Sequence, residues 1–284
     1  MIDFCGLKLV HRVINGSGTF DAIAAREVFG EQLAQRFPFS AFVSKTITLQ
    51  PRPGNPAPRL WEAPAGLINS IGLPNKGLDG YIREDLPQLA QLPVPLITNV
   101  MGSTEQELCE LVAACQAQPE IAAIELNVSC PNVKTGLDIG SDPQQLEQVT
   151  RAVRAHAAKP LIVKLTPNTA DVAACAAAAQ RGGADAVSLI NTLRAMALAP
   201  GTDRPWLGGR TGGLSGPAIR VVALAQVAAV RAAVELPIVG MGGVQSAAHA
   251  RDLLRAGADL VAVGTESFRD PTAAARIAAQ LGQG

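Results

Sequence analysis

The sequence predicts an α/β fold, a (β/α)8 TIM barrel, and three observations carry this prediction. Eight short apolar runs alternate with eight amphipathic segments along the 284 residues. One pattern, in which a helix end and a glycine cap lead into a strand, occurs at 181–187 and again at 255–261. Links from strand to helix are long, whereas links from helix to strand are short. Repeated βα units favour a barrel, and its long βα loops would lie over the C-terminal face, where barrels carry active sites.

The predicted strands are apolar and rich in β-branched residues, which is typical of strands buried on both faces of a parallel sheet. In chain order they cover residues 12–16, 42–47, 96–100, 123–127, 161–165, 186–191, 237–241 and 260–264. Amphipathic helices are predicted at 21–36, 78–91, 104–118, 143–157, 171–181, 217–234, 246–255 and 271–281, several of them with Ser, Thr, Asp or Pro start signals. The long strand-to-helix loops are 48–77, 128–142 and 192–216, and loops of this length are usually functional, so we predict an enzyme.

Composition excludes several classes of protein. The chain is 48% hydrophobic and 17% charged, with 24 basic and 24 acidic residues, which argues against disorder and against nucleic-acid binding by phosphate neutralisation. The start does not resemble a signal peptide, and no run of about 18 apolar residues suits a membrane span. Five cysteines without a CxxC pair, and three histidines without paired spacing, give no metal signature. We expect a cytoplasmic protein with reduced thiols and no metal.

Two lysines interrupt apolar strands near their C-terminal ends. Lys45 lies in the run 42–47, and Lys164 lies in the run 161–165. A buried ammonium is costly unless it meets an anion or loses its proton. A structural salt bridge or a snorkelling side chain would account for one such lysine. Two at equivalent strand ends favour a bound anion.

Three asparagines, like the two lysines, lie at or near the C-terminal ends of apolar runs. They are Asn99, Asn127 and Asn191. An amide offers two donors and an acceptor, which suits the edge of a heterocycle. Each amide could instead tie down its own loop backbone. Three strands that present asparagine at one level favour a planar polar ligand.

Cys130 stands just past the end of the fourth predicted strand, where a long loop begins. Its thiol could be a nucleophile, a general base or an inert apolar group, and inert burial is the commoner fate of cysteine. Position favours a function, since the other four cysteines lie at the terminus or on predicted helices. No histidine is placed to activate this thiol, because His11 is near the N-terminus while His156 and His249 fall within helices, which disfavours a Cys–His protease.

Glycines cluster after the last two predicted strands, in the segments 240–244 and 264–265. Tight turning alone would explain either cluster, but barrels commonly bind phosphate in these two loops. No GxGxxG follows a strand with an acid behind it, so a Rossmann NAD or FAD site is not predicted. Phosphate, a planar heterocycle and a lysine together suggest FMN, whose reduced anion a cation near N1 and O2 would stabilise.

Seven motifs follow one another along nearly the whole chain. They are Asn15-Gly16-Ser17-Gly18-Thr19-Phe20, Ser44-Lys45-Thr46, Asn69-Ser70-Ile71-Gly72-Leu73, Asn127-Val128-Ser129-Cys130-Pro131-Asn132-Val133-Lys134, Leu189-Ile190-Asn191-Thr192, Gly212-Gly213-Leu214-Ser215-Gly216-Pro217 and Gly240-Met241-Gly242-Gly243. In this order and spacing the sequence resembles the dihydroorotate dehydrogenases, specifically the class 1B catalytic subunits.

The resemblance implies one FMN-binding TIM-barrel domain over residues 1–284 that oxidises (S)-dihydroorotate to orotate in de novo pyrimidine (UMP) biosynthesis. Cys130 would remove the C5 proton while the C6 hydride passes to flavin N5, and the loop 131–142 would close over the site. The implied substrate residues are Lys45, Asn69, Ser70, Ile71, Gly72, Leu73, Asn127, Asn191 and Thr192. The implied FMN residues are Ser17, Lys45, Thr46, Asn99, Asn127, Lys164, Ile190, Gly216, Gly242, Gly243, Gly264 and Thr265.

The same resemblance implies a partner protein. Class 1B chains pass electrons to a subunit carrying FAD and a [2Fe–2S] cluster, and then to NAD⁺, within a heterotetramer built on a homodimer of catalytic subunits. This chain has neither a cysteine cluster for iron nor an NAD fingerprint, so the partner would be a separate protein. Cys130 argues against the membrane-bound class 2 enzymes, which have serine there. The stretches 196–200 and 137–139 depart from the family pattern, which bears on the lid and on partner docking.

Three alternatives stay open. They are a fumarate-dependent class 1A-like enzyme, a dihydropyrimidine dehydrogenase-like subunit acting on uracil or thymine, and a catalytically silent barrel that serves as a scaffold. The motif at 69–73 favours orotate over simple pyrimidines. A scaffold would leave the two strand lysines unexplained.

Overall fold

The computed structural model describes residues 1–128 and 139–283, and most of its strands are shorter than the apolar runs that predict them. In chain order the strands are β1 (Ile2–Phe4), β2 (Leu7–Leu9), β3 (Val13–Asn15), β4 (Phe42–Val43), β5 (Leu60–Ala63), β6 (Gly66–Asn69), β7 (Leu96–Val100), β8 (Ile121–Asn127), β9 (Leu161–Lys164), β10 (Ala186–Leu189), β11 (Leu193–Ala195), β12 (Gly212–Ser215), β13 (Ile238–Met241) and β14 (Leu260–Val263). Each of the eight predicted strands is present, as β3, β4, β7, β8, β9, β10, β13 and β14.

The helices follow the predicted segments, with two differences. They are α1 (Ala22–Phe29), α2 (Glu31–Gln35), α3 (Gly77–Gly80), α4 (Leu86–Leu89), α5 (Glu105–Gln116), α6 (Pro143–Arg154), α7 (Val172–Arg181), α8 (Arg220–Ala233), α9 (Ala247–Arg255), α10 (Glu266–Arg269) and α11 (Ala273–Leu281). The prediction of one helix over 21–36 is wrong, because Gly30 at φ 55° divides it into α1 and α2. A π-helical turn, Tyr81–Asp85, joins α3 to α4. Within the described residues, no helix is long and apolar enough to cross a membrane.

Eight parallel strands form the barrel in the spatial order β3-β14-β13-β10-β9-β8-β7-β4, which confirms the predicted fold class. The seam between β3 and β4 is closed by a side chain. Asn15 donates from Nδ2 to the Val43 carbonyl at 2.8 Å, and the Val43 N–H donates to Asn15 Oδ1 at 2.7 Å. The amide therefore supplies the pair of hydrogen bonds that a strand partner would make.

The barrel interior is apolar toward the N-terminal ends of the strands and polar toward their C-terminal ends. Inward side chains of the eight strands, such as Ile14, Ile162 and Val239, form one buried cluster. The β1–β2 hairpin adds Phe4 and Leu9 to that cluster and closes the N-terminal end of the barrel. The larger cluster lies between the strands and the surrounding helices. The ligand-accessible end is thus the C-terminal end of the strands.

A second, four-stranded antiparallel sheet of order β11-β12-β6-β5 lies within the segments predicted as the long loops 48–77 and 192–216. The ring of Trp61, on β5, packs edge to face against the ring of Trp206, with the ring centres 5.2 Å apart. The prediction of structureless loops there is wrong. Strands of three or four residues are too short to show a period in the sequence, and the pairing of Asn69 on β6 with Gly213 on β12 joins segments that are far apart along the chain.

The repeated pattern at 181–187 and 255–261 forms the same contact twice at the N-terminal end of the barrel. Asp185 accepts the N–H of Leu161 at 2.8 Å, and Asp259 accepts the N–H of Ile238 at 2.8 Å. Each aspartate also pairs with an arginine of the helix preceding that strand, on α6 and α8 respectively. Each aspartate therefore links the start of one strand to the segment that leads into the neighbouring strand.

Candidate active site

A cavity of about 1010 Å³ opens at the C-terminal ends of the barrel strands. Its walls come from the barrel strands below and from β5, β6 and β12 above, which contribute Leu60, Leu67, Asn69 and Ser215. This volume is at the upper end for ligand pockets, which span about 300–1,000 Å³. The second sheet therefore converts an open barrel mouth into an enclosed site.

The cavity brings together most of the predicted substrate residues. Those on its lining are Lys45, Asn69, Ile71, Leu73, Asn127, Asn191 and Thr192. Ser70 and Gly72 are not on the lining. Ser70 is fully buried behind it, where Asn55 Nδ2 donates to its hydroxyl at 3.0 Å. Gly72 faces the backbone of Asn55 so closely that a Cβ would lie 2.4 Å from the Asn55 nitrogen.

Most of the predicted cofactor residues share this cavity. Those on its lining are Ser17, Lys45, Thr46, Asn127, Lys164, Ile190, Gly216, Gly242, Gly243, Gly264 and Thr265. Asn99 does not line the cavity, since its side chain is wholly buried on β7. Cys130, the predicted base, lies outside the described residues. The lid predicted at 131–142 also lies there, apart from its last four positions.

The two predicted lysines differ in their surroundings. Lys164 is 6% exposed at the end of β9, and the structure shows no hydrogen bond or ion pair between its ammonium and another described residue. Lys45 follows the two-residue strand β4 and is exposed to the open cavity, so the prediction that it is buried in a strand is wrong. Removal from bulk water lowers the pKa of Lys45, against the opposing effect of Asp21. Both cations face one cavity, which suits anionic ligands.

Glycine backbone forms one wall of the cavity, as the sequence predicts for a phosphate site. Gly242 and Gly243 have φ values of 135° and 67°, which other residues rarely adopt. A Cβ on Gly243 would lie 2.8 Å from the Cβ of Arg220 and 2.9 Å from the Gly216 carbonyl oxygen. Thr265 donates to the Ser215 hydroxyl at 2.8 Å and so fixes the adjoining edge. A wall without side chains allows close approach of a phosphate to backbone N–H groups.

A buried acid in the barrel is a residue that the sequence analysis missed. Glu125 lies on β8, is 3% exposed, and accepts hydrogen bonds from Asn99 Nδ2 at 2.6 Å and from Ser188 Oγ at 2.7 Å. Asn99 Oδ1 has no hydrogen-bond partner among the described residues. The sequence feature that could have revealed Glu125 is that it is the one acid within the otherwise largely apolar segment 121–127. The two donors compensate the desolvation of this buried carboxylate.

The loop that bears Asn69, Ile71 and Leu73 is fixed by hydrogen bonds to Asn55 and Arg59. Leu73 has φ 53°, a left-handed conformation that is uncommon for leucine and is found at functional sites. The backbone of Ser70 donates to the Arg59 carbonyl at 2.8 Å. Asn55 donates to this loop twice, from Nδ2 to the Ser70 carbonyl at 3.2 Å and from its backbone N–H to the Ile71 carbonyl at 3.0 Å. The loop is therefore preorganised at the cavity.

Comparison with known proteins decides the family of this site. The family model described as dihydroorotate dehydrogenase matches residues 1–284. The chain belongs to the dihydroorotate dehydrogenase family. Two of its relatives are named dihydroorotate dehydrogenase B (NAD(+)), catalytic subunit. The Desulforudis audaxviator protein is 46% identical over 99% of this chain and 91% of its own length. The Pelobacter propionicus protein is 45% identical over 98% of this chain and 90% of its own.

A solved structure agrees with this chain at the level of fold. DHODH from Eimeria tenella, in complex with ferulenol, superimposes with a TM-score of 0.80 at 22% identity, covering 99% of this chain and 82% of that one. The relatives' name favours the class 1B prediction over the class 1A-like and dihydropyrimidine dehydrogenase-like alternatives. The words "catalytic subunit" in that name imply that those proteins work with another subunit.

Proposed function

We propose that the chain oxidises (S)-dihydroorotate to orotate in de novo pyrimidine biosynthesis, as one domain that holds FMN in the cavity. The observation that carries this proposal is the meeting of seven predicted substrate residues and eleven predicted cofactor residues on one cavity wall. Family membership supports the same reaction. Charge supports it as well, because Lys45 and Lys164 give a cationic site to a carboxylate substrate and a phosphate-bearing cofactor.

The described residues fit FMN at three points. The glycine wall at Gly216, Gly242 and Gly243 leaves backbone free to meet a phosphate. Lys164 offers a buried cation to the polar edge of a ring, and the amide of Asn127 stands on the same cavity lining, where it can meet polar atoms of that ring. When bound, FMN supplies a hydride acceptor that protein side chains lack.

The chain's own residues bind and orient the substrate. Lys45 would hold the substrate carboxylate. Because its pKa is lowered, the side chain would lose its positive charge at a less alkaline pH than an ordinary lysine does. Asn69, Asn127 and Asn191 lie on three different elements of the cavity and would bind the ring's polar edge with donors and acceptors. Cys130 would take the proton from C5 as general base; this role rests on its sequence position three residues after Asn127.

The proposed electron acceptor is NAD⁺, reached through a separate subunit that carries FAD and a [2Fe–2S] cluster. The relatives' names support this part of the proposal. The chain's composition supports it too, because its five cysteines are scattered and none forms a CxxC pair. A homodimer of catalytic subunits inside a heterotetramer completes the proposed assembly.

The reaction is tested by adding dihydroorotate anaerobically to the FMN-loaded protein. The flavin's yellow absorbance should be lost, and it should persist with dihydrouracil. An unchanged spectrum with dihydroorotate refutes the proposed reaction. Cys130→Ser should slow the bleaching strongly at neutral pH, whereas Cys109→Ser on α5 is the matched control and should react like the parent protein. Equal rates for both variants would remove Cys130 from the base role.

The acceptor is tested separately by turnover assays. The protein reconstituted with an FAD/iron–sulfur subunit should reduce NAD⁺, and the chain alone should not turn over with fumarate. Steady turnover of the isolated chain with fumarate would assign it to the class 1A type instead.

A further inference from the structure

Asn75 lies on the cavity lining but belongs to neither of the predicted sets of ligand residues. It comes two positions after the substrate loop, residues 69–73. Its backbone forms a bridge with Arg52: the Asn75 N–H donates to the Arg52 carbonyl at 3.0 Å, and the Arg52 N–H donates to the Asn75 carbonyl at 2.9 Å. Both main-chain polar groups of Asn75 are therefore satisfied without help from its side chain.

The side-chain amide of Asn75 makes a hydrogen bond to the protein with each of its donors and lone pairs. Its Oδ1 accepts the backbone N–H of Gly77 at 2.8 Å and that of Thr48 at 3.2 Å. Its Nδ2 donates to the Leu73 carbonyl at 2.9 Å and to Thr48 Oγ1 at 2.9 Å. The Thr48 hydroxyl has a single hydrogen, which it donates to Gln50 O at 2.6 Å, so it acts as the acceptor toward Asn75. These contacts indicate that the amide holds the chain rather than a ligand.

Leu73, the last residue of the substrate loop, has a backbone conformation that its local sequence opposes. Its φ of 53° is left-handed, which costs energy for a residue that has a Cβ. Pro74 follows, and the residue before a proline favours extended conformations. The hydrogen bond from Asn75 Nδ2 fixes the Leu73 carbonyl in the left-handed arrangement. The amide therefore opposes a return of Leu73 to an extended conformation.

Thr48 connects the same amide to the segment that carries Lys45. Thr48 is buried and lies three residues after Lys45. Between them, Ile47 forms a parallel bridge with Val100, which ties this segment to β7 of the barrel. Asn75 thus joins the loop that would surround the substrate ring to the segment that would hold the substrate carboxylate.

We propose that Asn75 is a positioning residue for the substrate: it holds Leu73 in its left-handed conformation and fixes the substrate loop to the segment that carries Lys45. This rests on the proposed function and names a residue on which the binding of dihydroorotate and orotate depends. The contacts of the amide fall within residues 48–77, whereas Lys164 and the glycine wall belong to other elements. FMN binding is therefore nearly independent of Asn75.

Asn75→Ala removes the amide without adding charge to a site for anions. Orotate dissociation constants are measured by titration calorimetry of the FMN-loaded full-length proteins, and FMN dissociation constants by the quenching of FMN fluorescence on the flavin-free proteins. We expect Asn75→Ala to weaken orotate binding about tenfold and FMN binding by less than about twofold, because the net loss is that of one or two hydrogen bonds in the substrate loop.

Gln116→Ala is the matched control. The Gln116 side-chain oxygen also accepts two backbone N–H groups, those of Ala158 at 2.8 Å and Lys159 at 2.9 Å. These residues precede β9, so the contacts lie at the end of the barrel opposite the cavity. Gln116→Ala should bind orotate like the parent protein, and a tenfold loss there as well would overturn the assignment to Asn75.

The route through Leu73 is tested by a double-mutant cycle. Glycine adopts a φ of 53° without the cost that leucine bears. In the Leu73→Gly background, Asn75→Ala should therefore weaken orotate binding by only about twofold. Equal losses in the two backgrounds would overturn the proposal. If Asn75→Ala does not fold, Thr48→Val removes one acceptor of Nδ2 and should weaken orotate binding about threefold; parent-like binding by Thr48→Val would then overturn the proposal.

The outcomes separate this proposal from the proposed function. A parent protein that holds FMN but does not bind orotate overturns both. A parent protein that binds orotate, with an Asn75→Ala variant that binds it equally well, overturns the positioning role alone. A loss of FMN affinity as large as the loss of orotate affinity overturns it too, because that result indicates a general loosening of the cavity. A parent protein that binds orotate but is not bleached by dihydroorotate overturns the reaction alone.

Discussion

Replacing Asn15 by leucine should weaken the barrel at its seam. Leucine has the same branched shape and number of side-chain heavy atoms as asparagine but cannot hydrogen-bond to Val43. The neighbouring residues of β4 donate toward β7, as Phe42 N–H does to Pro95 O at 2.9 Å, so Val43 points its polar groups at β3. Without Asn15, the buried N–H and carbonyl of Val43 both lose the partners seen at 2.7 and 2.8 Å.

The expected loss in the free energy of unfolding follows from these two unpaired polar groups. Each buried group left without a partner costs about 1–3 kcal/mol, and the leucine side chain returns part of this by its hydrophobicity. We therefore expect the free energy of unfolding to fall by about 2–4 kcal/mol. FMN binding should weaken as well, because Ser17 beside the seam donates to the Ser44 carbonyl at 2.9 Å and both residues line the cavity.

Urea unfolding of the flavin-free protein measures the change, and Thr150→Val is the matched control. Thr150 is a fully buried polar residue whose hydroxyl has no hydrogen-bond partner in the described part of the chain. Its replacement by valine should leave stability unchanged or slightly raised. If Asn15→Leu loses less than about 1 kcal/mol, the amide does not close the seam and the reasoning fails.

Three further predictions concern the two ends of the barrel. Lys164→Met should weaken FMN binding about tenfold to a hundredfold in a fluorescence titration, since a hydrogen bond to a charged group is worth about 1.5–3 kcal/mol; unchanged affinity would remove this cation from the cofactor site. Asn55→Ala should raise the KM for dihydroorotate about fivefold, with kcat and FMN affinity nearly constant, because it loosens the substrate loop by roughly 1 kcal/mol; a loss confined to kcat would contradict this. Asp259→Ala should lower the free energy of unfolding by about 1 kcal/mol and leave FMN affinity unchanged, because its contacts lie at the opposite end from the cavity; weaker flavin binding would show that the two ends are coupled.

The barrel strands could be predicted from the sequence because each lies in a predominantly apolar run. The run 161–165, for example, becomes β9, with Lys164 as its last residue. The second sheet could not be predicted, because its strands are short and its two halves, β5–β6 and β11–β12, come from distant parts of the chain and join only through the pairing of β6 with β12. The split of the first helix at Gly30 depends on a positive φ that the amphipathic pattern does not reveal.

Residue type and strand position together predict which side chains of the barrel strands lie near one another at the candidate site. Asn127 and Lys164 stand opposite each other in register at the ends of β8 and β9, as expected for a shared ligand. Lys45 was expected in a strand and lies beyond one, because β4 pairs for only two residues. Glu125 escaped notice because its compensation comes from Asn99 and Ser188, whose proximity depends on the curvature of the closed sheet.

The hairpin beneath the barrel bears on the order in which ligands are exchanged. Phe4 and Leu9 fill the axis from below, so molecules in the described cavity enter and leave through its mouth. Two ligands along one axis must leave in the reverse of the order in which they entered. FMN at the level of Lys164 would then stay trapped while orotate occupies the loop around Asn69, and saturating orotate should slow FMN release. A barrel closed at one end would thereby slow the loss of a bound cofactor during turnover without a covalent bond.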